Sequence, residues 1–250
     1  MNRPIWLSLY VVAVCVVWES AVRLMHVPHY ILPAPSEIAA EFVAQPGLLL
    51  DSAWTTLYET IGGFALGTLL GVALAFLIAF SAIAEAIVMP TVFAIQSVPK
   101  VAVAPLFIVW FGLGLTAKLV LVSTTAFFPV LLSTLAGLTS VDADMIDLIR
   151  GMNGTRLQAF LKVRVPFSIP YIFNGMKIAV PLAMIGAIVA EFISSERGLG
   201  NLILVSSQNM RISLNFASLV VIALLSSLIF QAVVLAEGVV LRFMPSSPKG

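Results

Sequence analysis

Apolar runs of membrane-spanning length alternate with short polar segments along this chain, and the alternation predicts about six transmembrane helices. The first run, Ile5 to Trp18, follows Arg3 and is closed by Glu19 and Arg23. Its basic start resembles that of a signal peptide, but no small-residue cleavage site follows, so it reads as an uncleaved span. Next comes a polar, proline-bearing stretch, His26 to Asp51. Within it, SEIAAEFVAQ predicts a short interfacial helix capped by Ser36 and stopped near Pro46 and Gly47. Further spans are predicted from about Trp54 to Phe80, Leu115 to Leu138, Ser168 to Ile193 and Leu214 to Leu241. Between Ile83 and Gly114 the apolar pattern is interrupted by Pro90, Pro99 and Pro105, which predicts a broken helix. Counted once, that region brings the spans to six. The resulting division is 1–25 for the first span, 26–53 for a linker with its interfacial helix, 54–241 for a helical core and 242–250 for a tail.

Composition turns this pattern into a statement about solvent. Apolar residues make up 60% of the chain and charged residues 10%, with a mean hydropathy of +1.09. So few charges cannot surface a water-soluble domain, so lipid must cover most of it, and the fold class is all-α integral membrane. A net charge of +1 offers no basic face for nucleic acid. The single cysteine, Cys15, has no internal disulfide partner.

Two features within the spans stand out. Gly63, Gly67 and Gly71 recur at intervals of four and place bare backbone on one helix face, a helix-packing stripe. In the broken region, Gln96, Ser97, Pro99, Pro105 and Trp110 are candidates for lining a pathway or gate, because irregular backbone at membrane depth is tolerated only beside protein or a water-filled cavity. A plain kink is the alternative. Glu19, Glu59, Lys118, Lys177, Glu191 and Glu237 fall near predicted span ends, where they snorkel or pair; Glu59 and Glu191 are also candidates for a gate or interface role, and Glu191 joins the gate candidates above. Pro28 separates His26 from His29, so no metal site is expected there.

The segment 142–166, DADMIDLIRGMNGTRLQAFLKVRVP, holds seven of the chain's 25 Lys, Arg, Asp and Glu residues between two apolar spans. Asp142, Asp144 and Asp147 suit the first turns of a helix that Ser140 caps, and Met145, Leu148, Ile149 and Met152 form one apolar stripe. Asn153 and Gly154 tolerate the left-handed conformation that ends a helix, and Thr155 with Gln158 opens a second helix, ended before Pro166. Two short helices meeting at a corner follow, presenting Arg150, Asn153 and Arg156 beside apolar side chains. The stripe either lies on the ends of the spans or docks a partner. Arg150, Arg156, Lys162 and Arg164 place this connection on the cytoplasmic side, and with six spans both termini, carrying Arg3, Arg242 and Lys249, share that side.

From Asp147 the spacing resembles the cytoplasmic "EAA" signature of permease subunits of binding-protein-dependent ABC importers, E-A-A, three residues, G, nine residues, I-x-L-P. Asp147, Leu148 and Ile149 stand at the opening triplet, Asn153 at the glycine, Val163 and Val165 at the aliphatic positions and Pro166 at the proline. Leu148 and Ile149 are bulkier than the family's alanines, and Asn153 replaces glycine with Gly154 beside it. LPAPSEI, SVPKVAVAPLFIVWFGLG, VPFSIPYIFNGMKIA and AEFISSERGLG extend the likeness over nearly the whole chain, to the class that imports nitrate, taurine, aliphatic sulfonates and vitamin precursors.

The resemblance implies a type I ABC importer permease fold in the bacterial inner membrane, working as a homodimer. It further implies a cytoplasmic ABC ATPase dimer docked on the corner and a periplasmic or lipid-anchored binding protein that delivers substrate. Asp147, Leu148, Ile149, Arg150, Met152, Asn153, Gly154, Thr155 and Pro166 are then the ATPase-coupling residues. No G-x-x-x-x-G-K-[ST] sequence occurs, so no cofactor is expected in this chain and ATP with Mg2+ belongs to the partner. Two alternatives remain open at this point, a membrane-embedded Mg2+-dependent transferase using Asp142, Asp144 and Asp147, and a passive channel or scaffold. An apolar pathway without fixed intramembrane charge favours a neutral or aromatic solute over nitrate or a sulfonate.

Overall fold

The computed structural model describes residues 3–80 and 82–243, and every regular element among them is helical. The elements are α1 (Arg3–Leu24), α2 (Pro35–Ala44), α3 (Pro46–Phe80), α4 (Ala82–Gln96), α5 (Lys100–Phe111) and α6 (Leu115–Thr139). They continue as α7 (Ala143–Gly151), α8 (Arg156–Ala159), α9 (Val165–Ser194), α10 (Leu199–Gln208) and α11 (Ile212–Arg242). Residues 244–250, most of the expected tail, lie outside the described residues.

Four helical stretches, α3, α6, α8 through α9, and α11, are each long and apolar enough to cross a membrane, and the bent pair α4–α5 makes a fifth if taken as one. The sixth expected span is α1, with 22 residues, several of whose first side chains lie outside the described ones.

Several boundaries differ from the sequence reading. The second span begins at Pro46, not near Trp54, so the division drawn between 53 and 54 falls inside α3. α2 ends at Ala44, as expected near Pro46, and Pro46 also opens α3, where its missing N–H is not needed and its fixed φ suits the first turn. Ser36 does not cap α2. Ala34 holds the cap position, its N–H donating to Glu37 Oε2 at 3.1 Å. Ser36 instead donates its N–H and hydroxyl to Glu19 at 3.0 and 2.8 Å, and Arg23 pairs with the same carboxylate at 2.6 Å, so Glu19 ties α1 to α2.

At the centre, α6 is packed between α3 and α9. In lipid there is no hydrophobic drive to pair helices, so close van der Waals contact must hold them. Gly63, Gly67 and Gly71 lie directly on α6: a Cβ on Gly67 would stand 2.6 Å from the Ser123 carbonyl oxygen, and one on Gly71 2.8 Å from that of Phe127. On the other side Gly175 and Gly186 of α9 meet α6 as closely, their Cβ positions being 2.8 Å from Ser133 and 2.6 Å from Thr125. Val122, Ala126 and Val130 of α6 fill the seam with Phe64 of α3 and Ala179, Val180, Ala183 and Met184 of α9, and Ile229 and Val233 of α11 close it.

Candidate functional site

The corner between α6 and α9 is built by caps. Asp142 Oδ1 accepts from the Asp144 N–H at 3.2 Å, so Asp142 caps α7, whereas Ser140 ends α6 and donates its hydroxyl to the Gly137 carbonyl. That corrects the expected cap at Ser140. At its other end α7 turns through Asn153, whose φ is +58°, and the Gly154 N–H reaches back to the Ile149 carbonyl at 2.8 Å. This six-to-one bond is the Schellman closure, with Asn at the left-handed position. Thr155 then accepts from the Gln158 N–H at 3.2 Å while its own N–H donates to Gln158 Oε1 at 2.8 Å, a reciprocal capping box.

Beyond that box the helix does not end before Pro166. It passes through one π-turn, Phe160–Arg164, and continues unbroken to Ser194. The π-turn lengthens the register so that Val165 bonds to the Phe160 carbonyl, and Pro166 arrives where no donor is demanded. Pro166 therefore lies roughly 15 Å along the helix from Arg156, at 1.5 Å per residue, and not in the corner itself.

Inside the corner, Ile146 is buried and Ile149 half-buried, while Leu148 and Met152 are 66% and 74% exposed and Met145, Asp147 and Leu157 are exposed as well. The Arg150 side chain lies outside the described ones. Phe160 anchors the corner to the foot of α3, with ring centroids 5.5 Å from Phe76 and 4.1 Å from Phe80. Beside it a cavity of about 250 Å3 is lined by Ile146, Gly154, Thr155, Arg156 and Phe160.

In the broken region the bend between α4 and α5 is 99° and falls at Ser97–Pro99. Gln96, Ser97 and Pro99 meet at this elbow, where Lys100 Nζ donates to the Gln96 carbonyl and side-chain oxygens at 3.0 and 2.5 Å. Pro90 and Pro105 sit within helices and break neither. Trp110 is exposed at the far end of α5. Glu191 is not part of this elbow.

At the opposite end from the corner, Glu191 joins a buried polar cluster that the sequence did not assemble. Lys118 of α6 donates to Glu59 of α3 at 2.6 Å and to Ser195 at 2.8 Å. Glu191 of α9 accepts from the Thr56 hydroxyl at 2.7 Å and the Gly200 N–H at 2.6 Å, and the Leu199 N–H donates to Thr56 Oγ1 at 2.8 Å. Glu59 and Glu191 are wholly buried, so neither snorkels. They and Thr56 stand 135 and 59 residues from their partners in sequence, and the only hint of them was charge inside apolar runs. A further ion pair, Lys177 with Glu237 at 2.5 Å, joins α9 to α11, the pairing expected of these residues, so the charge within the spans is paired. Above Glu59 and Lys118 opens a cavity of about 520 Å3, with Tyr58, Glu196 and Arg197 in its wall.

Among the described residues no group of three or more His, Cys, Asp and Glu converges as a metal site, and Asp142 is spent on its cap.

Comparison with known proteins points the same way as the corner. Residues 67–243 match the family described as binding-protein-dependent transport system inner membrane component. The chain is 33% identical to a probable ABC transporter permease protein of Haemophilus influenzae, over 90% of this chain and 92% of that one. It is 31% identical to the riboflavin transport system permease protein RibX of Chloroflexus aurantiacus, over 98% and 91%. Among solved structures, the inward-facing MetNI methionine ABC transporter superposes with a TM-score of 0.64 at 21% identity, covering 80% of this chain and 97% of that one, a likeness of fold.

Proposed function

Because the chain belongs to the family of binding-protein-dependent transport system inner membrane components, the permease subunits of ABC importers, we propose that two copies form the translocation pathway of such an importer and that the α7–α8 corner receives force from a separate ATPase. The observation that carries the coupling role is the exposure of Leu148, Met152 and Leu157 around a turn made rigid by the Asn153–Gly154 closure and the Thr155–Gln158 box. Exposed apolar side chains on a stiff two-helix corner, rimmed by charge, are what a cleft in a soluble partner can grip.

In this reading the corner and both termini face the cytoplasm, and the cavity over Glu59 and Lys118 faces the binding protein. ATP and Mg2+ are held by the partner. Closure of the ATPase moves the corner, and because α8 is continuous with α9, the displacement passes directly into a span that packs on α6. The elbow of Gln96, Ser97 and Pro99 lies in a segment able to flex as the pathway alternates. The solute belongs to the neutral, aromatic end of the class, in keeping with the paired intramembrane charges and with a riboflavin permease among the relatives.

The test is cross-linking of Met152→Cys, in a Cys15→Ser background, to the co-expressed ATPase, together with hydrolysis by that ATPase. Cross-linking in the assembled complex, and hydrolysis that depends on this chain, are expected. Labelling of the same cysteine from outside intact cells overturns the reading.

A further inference from the structure

Where α11 borders α9, polar side chains appear at a depth where lipid alone does not satisfy them. Ser226, Ser227 and Gln231 lie at the midpoint of α11, and with Phe230 and Pro181 they line a groove of about 260 Å3 between α11 and α9. Pro181 is itself at the midpoint of α9. With no N–H, it leaves the Lys177 carbonyl without its helical donor and adds a backbone acceptor beside the groove. Ser227 and Gln231 are exposed. No hydrogen bond reaches the Gln231 amide or either hydroxyl among the described residues. An amide and two hydroxyls at the centre of a bilayer are costly facing hydrocarbon, and such groups face a bundle interior, a partner or a water-filled path.

Resting on the importer reading above, we infer that this groove is a solute subsite of the pathway, suited to a neutral, planar heterocycle whose edge carries both donors and acceptors. Gln231 offers one of each, the serines offer both, and the Phe230 ring supplies a flat apolar wall. The lining holds no charge. The nearest cation and anion on the same two helices, Lys177 and Glu237, neutralise each other at 2.5 Å, so nothing here compensates the desolvation of a sulfonate or nitrate. The elbow of α4–α5, by contrast, carries Lys100 and does not match a neutral ring.

The experiment uses the full permease–ATPase complex in membranes, in a Cys15→Ser background. Ser227→Cys and Gln231→Cys are expected to react with a charged, water-soluble thiosulfonate about tenfold faster than Leu69→Cys, an exposed apolar position of α3. Millimolar riboflavin or cytosine is expected to slow that reaction about threefold, and taurine and nitrate to leave it unchanged. Rates equal to that at Leu69→Cys place the groove against lipid and overturn the inference. So does a disulfide between Gln231→Cys copies without reagent access, which makes the strip a seam between subunits. Fast labelling that the heterocycles do not slow, or that taurine or nitrate slows instead, overturns the solute class. Hydrolysis by the same complex is the independent measure of the importer reading, so the two fail separately.

Discussion

Lys118 of α6 and Glu59 of α3 form an ion pair at 2.6 Å with both side chains buried, at the floor of the cavity above them. A pair so buried contributes little net stability against an apolar pair of the same volume, but losing one member is costly, about 3–5 kcal/mol, because the other charge is left without compensation. Here the cost is sharpened by Glu191, a second buried carboxylate in the same cluster. Lys118→Met should therefore lower the melting temperature of the purified transporter strongly, and Glu59→Gln/Lys118→Met should restore most of it. Equal destabilisation in the single and double variants would count against the pair as the source.

The glycine stripe is a second point of leverage. Gly67→Val sets a branched side chain where even a single Cβ stands 2.6 Å from the Ser123 carbonyl, and backbone cannot yield as a flexible side chain does. Overpacking of this kind costs about 1–3 kcal/mol at least. Gly238→Val in α11 meets nothing within 4 Å. Fluorescence-detected size exclusion in detergent should show loss of the monodisperse peak for the first and its retention for the second.

Coupling is separable from folding at the corner. A Cβ on Gly154 would lie 2.5 Å from Ile149 Cγ2 and 2.7 Å from its carbonyl, the acceptor that closes the turn. Gly154→Val should open that closure, keep membrane insertion and abolish uptake, while Asn153→Gly, which accepts φ +58° without strain, should transport normally. Asn153→Val pays about 1–2 kcal/mol for the left-handed conformation and should fall between. Uptake in whole cells against expression level distinguishes the three, and normal uptake by Gly154→Val would remove the corner from the mechanism.

What the sequence made legible was whatever is written locally. The Asn153–Gly154 turn, the Thr155–Gln158 box and the break near Pro99 each depend on residues within a few positions of one another, and their chemistry admits few alternatives. Proline was half legible at Pro46, which marks the end of α2 but also opens α3, and it misled at Pro166, because its effect depends on whether its missing N–H falls in a first turn or after a π-turn, which composition does not disclose. The buried cluster was out of reach for another reason. Glu59, Lys118 and Glu191 belong to three helices, and only the registers of α3 and α9 on α6 bring them together. Those registers rest partly on Gly175 and Gly186, which are too far apart on α9 to form a stripe.

The same cluster predicts where local order is lost first. Glu191 and Thr56, from α9 and α3, receive the Gly200 and Leu199 N–H groups at the start of α10, so side chains from two other helices cap it. Gly198 enters this turn at φ +103° directly against the Glu191 carboxylate, which leaves no room for a side chain. Glu191→Gln retains one acceptor oxygen and turns an amide nitrogen toward the other donor, a mismatch of about 1–3 kcal/mol. Glu191→Ala orphans the Gly200 N–H, leaves the Thr56 hydroxyl only the Ser52 carbonyl as acceptor, and opens a void. Hydrogen exchange at Leu199 and Gly200 should therefore quicken in the order wild type, Glu191→Gln, Glu191→Ala, with Gly198→Ala comparable to the last. Amides of α7, at the far end of the spans, should be unchanged in all three, since their caps are local. Uniform acceleration along the chain would mean instead that Glu191 holds the whole bundle, and that α10 is not an independently capped unit.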